Sequence, residues 1–279
     1  MKSNYKGECV LKDGKDIFSG DWSASTFYRS LNNKPYGYTV IPIPDAPTGK
    51  FAHRFEVRAG DCFHNEDWDD CPNNRERSEL SITWKDGNYP GDDVWYQWWF
   101  KVDESWKNLW PVHVTLGQVH ETESLGWCKG CPKRIMVFGV DAFSDGLYFD
   151  NHHSDIWGDA KLLSNEEMKG WHLITVHVKY SQDADGVMEV WVDGEKKYGW
   201  QGQTTTTPLT YFKFGIYRNG PDVPSFGDDN VNKVGRLVDN HPDIGTSVVY
   251  YDEVIRSNTP LIANYDDSNI VMKGVRFIE

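Results

Sequence analysis

The chain has 279 residues, a formal charge of −13 and a mean hydropathy of −0.63, yet 14% of it is aromatic, with 13 Trp and 14 Tyr. That charge argues against nucleic acid or a membrane surface as partner, and no run of about 18 apolar residues is present to span a bilayer. The length suffices for a full core burying ~75% of the unfolded surface. So many flat amphipathic rings on a polar chain either fill a β-core or stack on the apolar faces of sugars.

The N-terminal Met1–Tyr5 lacks the apolar stretch of a leader. The cysteines nevertheless point to an oxidising compartment, so the expectation is a secreted or periplasmic protein whose signal peptide is absent from this chain. Cys62 and Cys71 bracket a polar loop with no strand or helix period, which a disulfide would staple. Cys128 and Cys131, in Cys-Lys-Gly-Cys, form a second expected staple, since no partner pair completes a zinc site. Cys9 is left over. Period-2 alternation predicts strands over 51–58, 76–84, 94–102, 111–120, 134–139, 146–150, 171–180, 187–192, 210–217 and 247–256. Asp/Asn/Gly turn signals separate several of them, notably Asp86-Gly87-Asn88, Asp145-Gly146 and Asp193-Gly194. One short helix is expected over 164–169, with Ser164 capping the amide of Glu166 or Glu167. The polar stretch 219–242 is long enough to be a functional loop. No composition break divides the chain, so residues 1–279 are expected to form one monomeric all-β unit. Its fold is expected to be a jelly-roll β-sandwich (concanavalin A-like) with a concave substrate groove.

Three strand segments carry side chains that a β-elimination on a uronate would need. In 74–80, Arg75, Arg77 and Glu79 share one face. In 116–120, Gln118 and His120 do. In 211–217, Tyr211, Lys213 and Tyr217 line one face and Phe212, Phe214 and Ile216 the other, with Gly215 leaving open space between the polar groups. Removing the C5 proton of a uronate requires that its carboxylate be neutralised first, by Arg or amide donors. A base near neutral pKa then takes the proton and an acid protonates the departing O4. Each residue taken singly has an ordinary explanation, such as an Arg77–Glu79 ion pair or a solvated Lys213. Their joint occurrence on the polar faces of alternating strands is what points to chemistry.

These segments resemble the signature strands of the β-jelly-roll polysaccharide lyases: Arg77-Ser78-Glu79-Leu80, Gln118-Val119-His120, and Tyr211-Phe212-Lys213-Phe214-Gly215-Ile216-Tyr217. The flanks 94–98 and 249–253 look closer to the heparin lyase I-like group, while the alginate lyases of the same fold share all three motifs. The resemblance implies Gln118 and Arg77 as neutralisers of the substrate carboxylate and Lys213 as their helper. It implies His120 as base and Tyr217 as acid, or Tyr217 in both roles for a syn elimination. Ser81-Ile82 stands where alginate lyases commonly have Arg-Glu. Lys and Arg number 29 against 42 acidic residues. An unsulfated or sparsely sulfated uronate polysaccharide therefore fits as partner. Arg75, Glu79, Tyr211 and Arg218 are further candidates for binding it. His152 and His153 could line the groove, and Trp127 could stack on a sugar. The chemistry calls for no cofactor, although Asp228, Asp229 and Asn230 could hold a structural calcium.

Two rival readings are a glycoside hydrolase and a non-catalytic lectin-like domain on the same sandwich. A hydrolase needs two carboxylates facing one site, and no Glu-x-Asp-x-x-Glu strand is present. A lectin would need neither Gln118-x-His120 nor Lys213-x-x-x-Tyr217.

Overall fold

The computed structural model describes residues 11–12, 15–18, 27–47, 51–66, 68–82, 87–110, 112–122, 125–220 and 244–263. In chain order the strands are β1 (Leu11–Lys12), β2 (Lys15–Phe18), β3 (Phe27–Ser30), β4 (Tyr38–Pro42), β5 (Phe51–Val57) and β6 (Arg75–Ile82). They continue as β7 (Asp93–Val102), β8 (His113–Glu121), β9 (Met136–Phe143), β10 (Gly146–Asn151) and β11 (Ala160–Ser164). The last are β12 (His172–Lys179), β13 (Gly186–Val192), β14 (Glu195–Gly202), β15 (Thr210–Asn219) and β16 (Ser247–Ser257).

They form two antiparallel sheets. One runs β1-β2-β16-β7-β12-β13-β14, with β5 also on β16 and β4 on β5; the other runs β11-β10-β9-β8-β15-β6-β3. Alternation drives the packing, since every second residue of a central strand faces the opposite sheet. Phe55, Tyr96, Trp98 and Tyr251 from the first sheet meet Phe138, Phe149, Phe212 and Phe214 from the second in one apolar core. The rings of Tyr96 and Phe212 stack 4.9 Å apart, and those of Phe55 and Phe214 meet edge to face at 5.6 Å. This is the all-β sandwich expected from the alternation.

All ten expected strands are present, with ends shifted by a few residues. Six strands were not legible: β1, β2, β3, β4, β11 and β14. β1, β3, β11 and β14 end the paired order of their sheets, β2 is followed outward only by β1, and β4 lies on β5 alone, so all six lie at the margins of the sheets, where a fully buried face is not required. The residues of β14, Glu195-Lys-Lys-Tyr-Gly-Trp-Gln-Gly, are all exposed or half-buried. The expected helix is a single 3-10 turn, Glu167–Lys169. Ser164 Oγ accepts the Glu167 amide at 3.3 Å, and the Glu167 carboxylate accepts the Ser164 amide at 2.7 Å. Both expected disulfides, Cys62–Cys71 and Cys128–Cys131, are formed. Cys9, most of the stretch 219–242 and the calcium candidates Asp228, Asp229 and Asn230 lie outside the described residues.

Candidate active site

β6, β15 and β8 lie side by side in the second sheet. Their register places Arg77 opposite Tyr217 and Glu79 opposite Gly215. On the other side of β15, Gln118 stands opposite Lys213 and His120 opposite Tyr211. Three segments distant in sequence thus share one face, turned away from the core that Phe212, Phe214 and Ile216 fill.

Glu79 is the hub of this face. It is buried, and its carboxylate accepts Lys213 Nζ at 2.5 Å and Gln118 Nε2 at 2.6 Å, with Arg77 Nη1 at 3.5 Å. Burial works against its charge, yet Lys213 and Arg77 together hold its carboxyl below the ordinary range. Glu79 was expected to touch substrate; it instead gathers the three donors that were expected to do so. Arg77 is held from behind by Asp70, through Nε at 2.5 Å and Nη2 at 2.7 Å, a bidentate grip that fixes the guanidinium plane. That plane lies 4.7 Å over the Tyr217 ring. Asp70 belongs to the loop closed by Cys62–Cys71, so the staple also serves to position Arg77.

Gly215 does not leave open space. It adopts φ +133°, and a Cβ there would stand 2.3 Å from the Ser78 carbonyl oxygen. Glycine is required because the neighbouring backbone occupies the room, at a point where β15 bulges against β8 between Phe214 and Tyr217.

His120 Nδ1 lies 2.7 Å from the Glu121 carbonyl oxygen. A carbonyl can only accept, so Nδ1 carries the hydrogen and Nε2 keeps its lone pair. Burial, aided by the Lys213 ammonium, lowers the imidazole pKa to about 4, so the ring is neutral across the physiological range. Burial has the opposite effect on the Tyr217 phenol, raising its pKa, and Arg75 and Arg77 offset this only in part. At neutral pH the imidazole therefore keeps a free lone pair on Nε2 and the phenol keeps its proton.

The remaining candidates divide. Arg75 lies on the same face as Arg77 and covers the Trp68 ring at 5.4 Å. Tyr211 packs beside His120, ring centroids 5.3 Å apart. Trp127 is half-buried on the Cys128–Cys131 loop, which is tied to Thr206 through the Cys128 amide at 2.6 Å. Thr206 in turn donates its amide and hydroxyl to Glu121, next to His120. His152 stands beside Asp150 on β10. His153 Nε2 donates to the buried Glu121 at 3.1 Å. Arg218 is misplaced by the sequence reading: it is fully buried between the sheets. There it bonds Glu76 at 3.0 Å, the Val57 carbonyl at 2.9 Å and Ser247 Oγ at 2.7 Å. The reason is the alternation itself, because Arg218 has the parity of Phe214 and Ile216.

Sequence reasoning missed Asp70 and a second polar group on β8–β10: His113, Asp141 and Asp150. The Asp70–Arg77 contact has no local pattern. Asp141 did leave a signal, as a lone carboxylate within the apolar run Val140-Asp141-Ala142.

A family model described as polysaccharide lyase matches residues 19–255. Among solved structures, an endo-β-1,4-glucuronan lyase from the fungus Trichoderma reesei superposes with a TM-score of 0.56 at 18% identity, covering 85% of this chain and 92% of that one. The alginate lyase AlgAT5, of polysaccharide lyase family 7, gives a TM-score of 0.50 at 12% identity, covering 84% and 94%. At such identities these two establish the shared fold. No curated protein sequence matches the chain. The expected affinity with the heparin lyase I-like group gains no support from these matches.

Proposed function

The chain belongs to the polysaccharide lyase family, and from that premise we propose that it cleaves a uronic-acid-containing glycan by β-elimination, leaving a 4,5-unsaturated uronate end. In this reading the substrate carboxylate docks against Gln118 and Arg77, with Glu79 and Asp70 fixing their orientation. One amide hydrogen of Gln118 is held by Glu79, and the second is available to the substrate. His120 Nε2 takes the C5 proton. The electron pair left on C5 forms the C4=C5 bond as the C4–O4 bond breaks, and the Tyr217 hydroxyl protonates O4. The observation that carries this assignment is the Nδ1 bond of His120 to the Glu121 carbonyl at 2.7 Å, which leaves a neutral imidazole with Nε2 as acceptor.

An unsulfated substrate such as a glucuronan agrees with the charge of −13. A sulfated glycan would call for denser cations. The two disulfides support secretion or a periplasmic location. The test is a panel of glucuronan, alginate, heparan sulfate and hyaluronan, read by the ultraviolet absorbance of the unsaturated product. Absorbance on one polymer, lost in Tyr217→Phe, is the expected result. New reducing ends without absorbance would establish hydrolysis instead, and binding without either product would establish a lectin.

A further inference from the structure

Asp141 and Asp150 sit on adjacent antiparallel strands, β9 and β10, and His152 follows directly after β10. In register, Asp150 stands opposite Gly139 and Tyr148 opposite Asp141, so the two carboxylates are diagonal neighbours on one face. Gly139 makes room for them: a Cβ there would lie 2.5 Å from Asp141 Oδ2. One ligand atom from each of Asp141, Asp150 and His152 lies within 4.8 Å of the others. His152 Nε2 is 3.7 Å from Asp150 Oδ2.

Mutual proximity of acids is not enough to define a site, and a second observation comes from hydrogen bonding. Asp141 is fully buried, and its carboxylate oxygens lack a well-aligned hydrogen bond, with only the His113 ring and the Thr115 hydroxyl facing them. Its nearest cationic partner is His113 Nε2 at 3.2 Å. The His152 Nε2 atom is likewise buried without a hydrogen-bond partner. Buried polar atoms in native proteins are nearly always satisfied, and several orphans at one point call for a ligand such as an ion. The other Asp150 oxygen, by contrast, accepts the Gly158 amide at 3.2 Å, which orients it as an outer-shell bond would.

We propose that Asp141, Asp150 and His152 form a binding site for a divalent transition ion, Zn²⁺ or Mn²⁺, on the glycan-facing side of the second sheet. Two carboxylates and one imidazole make a mixed oxygen–nitrogen set, which favours such an ion over Ca²⁺, whose ligands are all oxygen. Three protein ligands leave a coordination position open, and the His152 side chain, 23% exposed although its Nε2 is buried, is the edge of the site toward solvent. Trp157, 58% exposed, stands beside it over His113, ring centroids 5.9 Å apart. Asp150, Gly139 and Gln118 occupy one row across β10, β9 and β8. Two strand spacings put the ion about 10 Å from Gln118, within reach of another sugar of the same glycan. That consequence rests on the lyase reading, whereas the ion site does not.

The test is calorimetric titration of chelator-treated, disulfide-intact protein with ZnCl₂, MnCl₂ and CaCl₂ in turn, without glycan. The expected result is one equivalent of Zn²⁺ or Mn²⁺ per chain, bound at least tenfold more tightly than Ca²⁺. Asp141→Asn and His152→Gln should each weaken uptake tenfold or more while circular dichroism is unchanged. His172→Gln, at a separate surface pair with Asp193, should bind as the parent does. The proposal is overturned if neither transition ion binds at one equivalent, or if both ligand variants bind as the parent does. Because activity is not the readout, a failed lyase assay and a failed ion titration remain distinct results.

Discussion

Replacing Lys213 with Met tests the electrostatics that keep His120 neutral. Lys213 pairs with Gln118 across β15 and β8, and His120 is two residues further along β8 on the same face. Diagonal neighbours of this kind lie about 7–8 Å apart. At an effective dielectric of about 20, a unit charge at that distance is worth about 2 kcal/mol, equivalent to about 1.5 pH units. The parent imidazole, at about 4, should therefore titrate between about 5 and 6 in Lys213→Met. The newly uncompensated Glu79 pushes in the same direction. Histidine-ring NMR, with His120 assigned through His120→Gln, reads the shift directly, and the acid limb of kcat/KM should move upward with it. The sign for stability follows from the same group. A folded pKa below the unfolded value of about 6.5 means that the unfolded chain binds more protons between pH 6.5 and 4. Stability should thus fall through that window, by at most about 3 kcal/mol. Titration of His120 near 6.5 in the parent, or an unmoved value in a folded Lys213→Met, would refute the reasoning.

Two further changes separate positioning from folding. Asp70→Asn weakens two charge-assisted bonds to Arg77, each worth about 1.5–3 kcal/mol; kcat/KM should drop roughly 10- to 100-fold, with the product still unsaturated. Arg218→Met leaves Glu76 buried without its cation. It should cost about 3–5 kcal/mol in denaturant unfolding, while KM of the folded enzyme stays within about twofold because Arg218 does not reach the glycan face.

The sequence by itself determined the sandwich and the faces of its central strands, because a strand buried on one side must alternate. Phe212, Phe214 and Ile216 inward, with Lys213 and Tyr217 outward, follow from that rule alone, and so does the buried Arg218, had the rule been applied one residue further. The motif segments were legible because each is local. What only the tertiary structure decided is how the polar faces satisfy one another. Glu79 collects Lys213, Gln118 and Arg77 through the register of three strands, and register is a non-local quantity set by core packing and bulges. Asp70 reaches Arg77 from a disulfide loop, and Asp141 meets Asp150 and His152 across a glycine. Neither arrangement has a period or spacing in the chain. Edge strands such as β14 escaped for a related reason: with no face fully buried, hydrophobicity leaves no pattern on them.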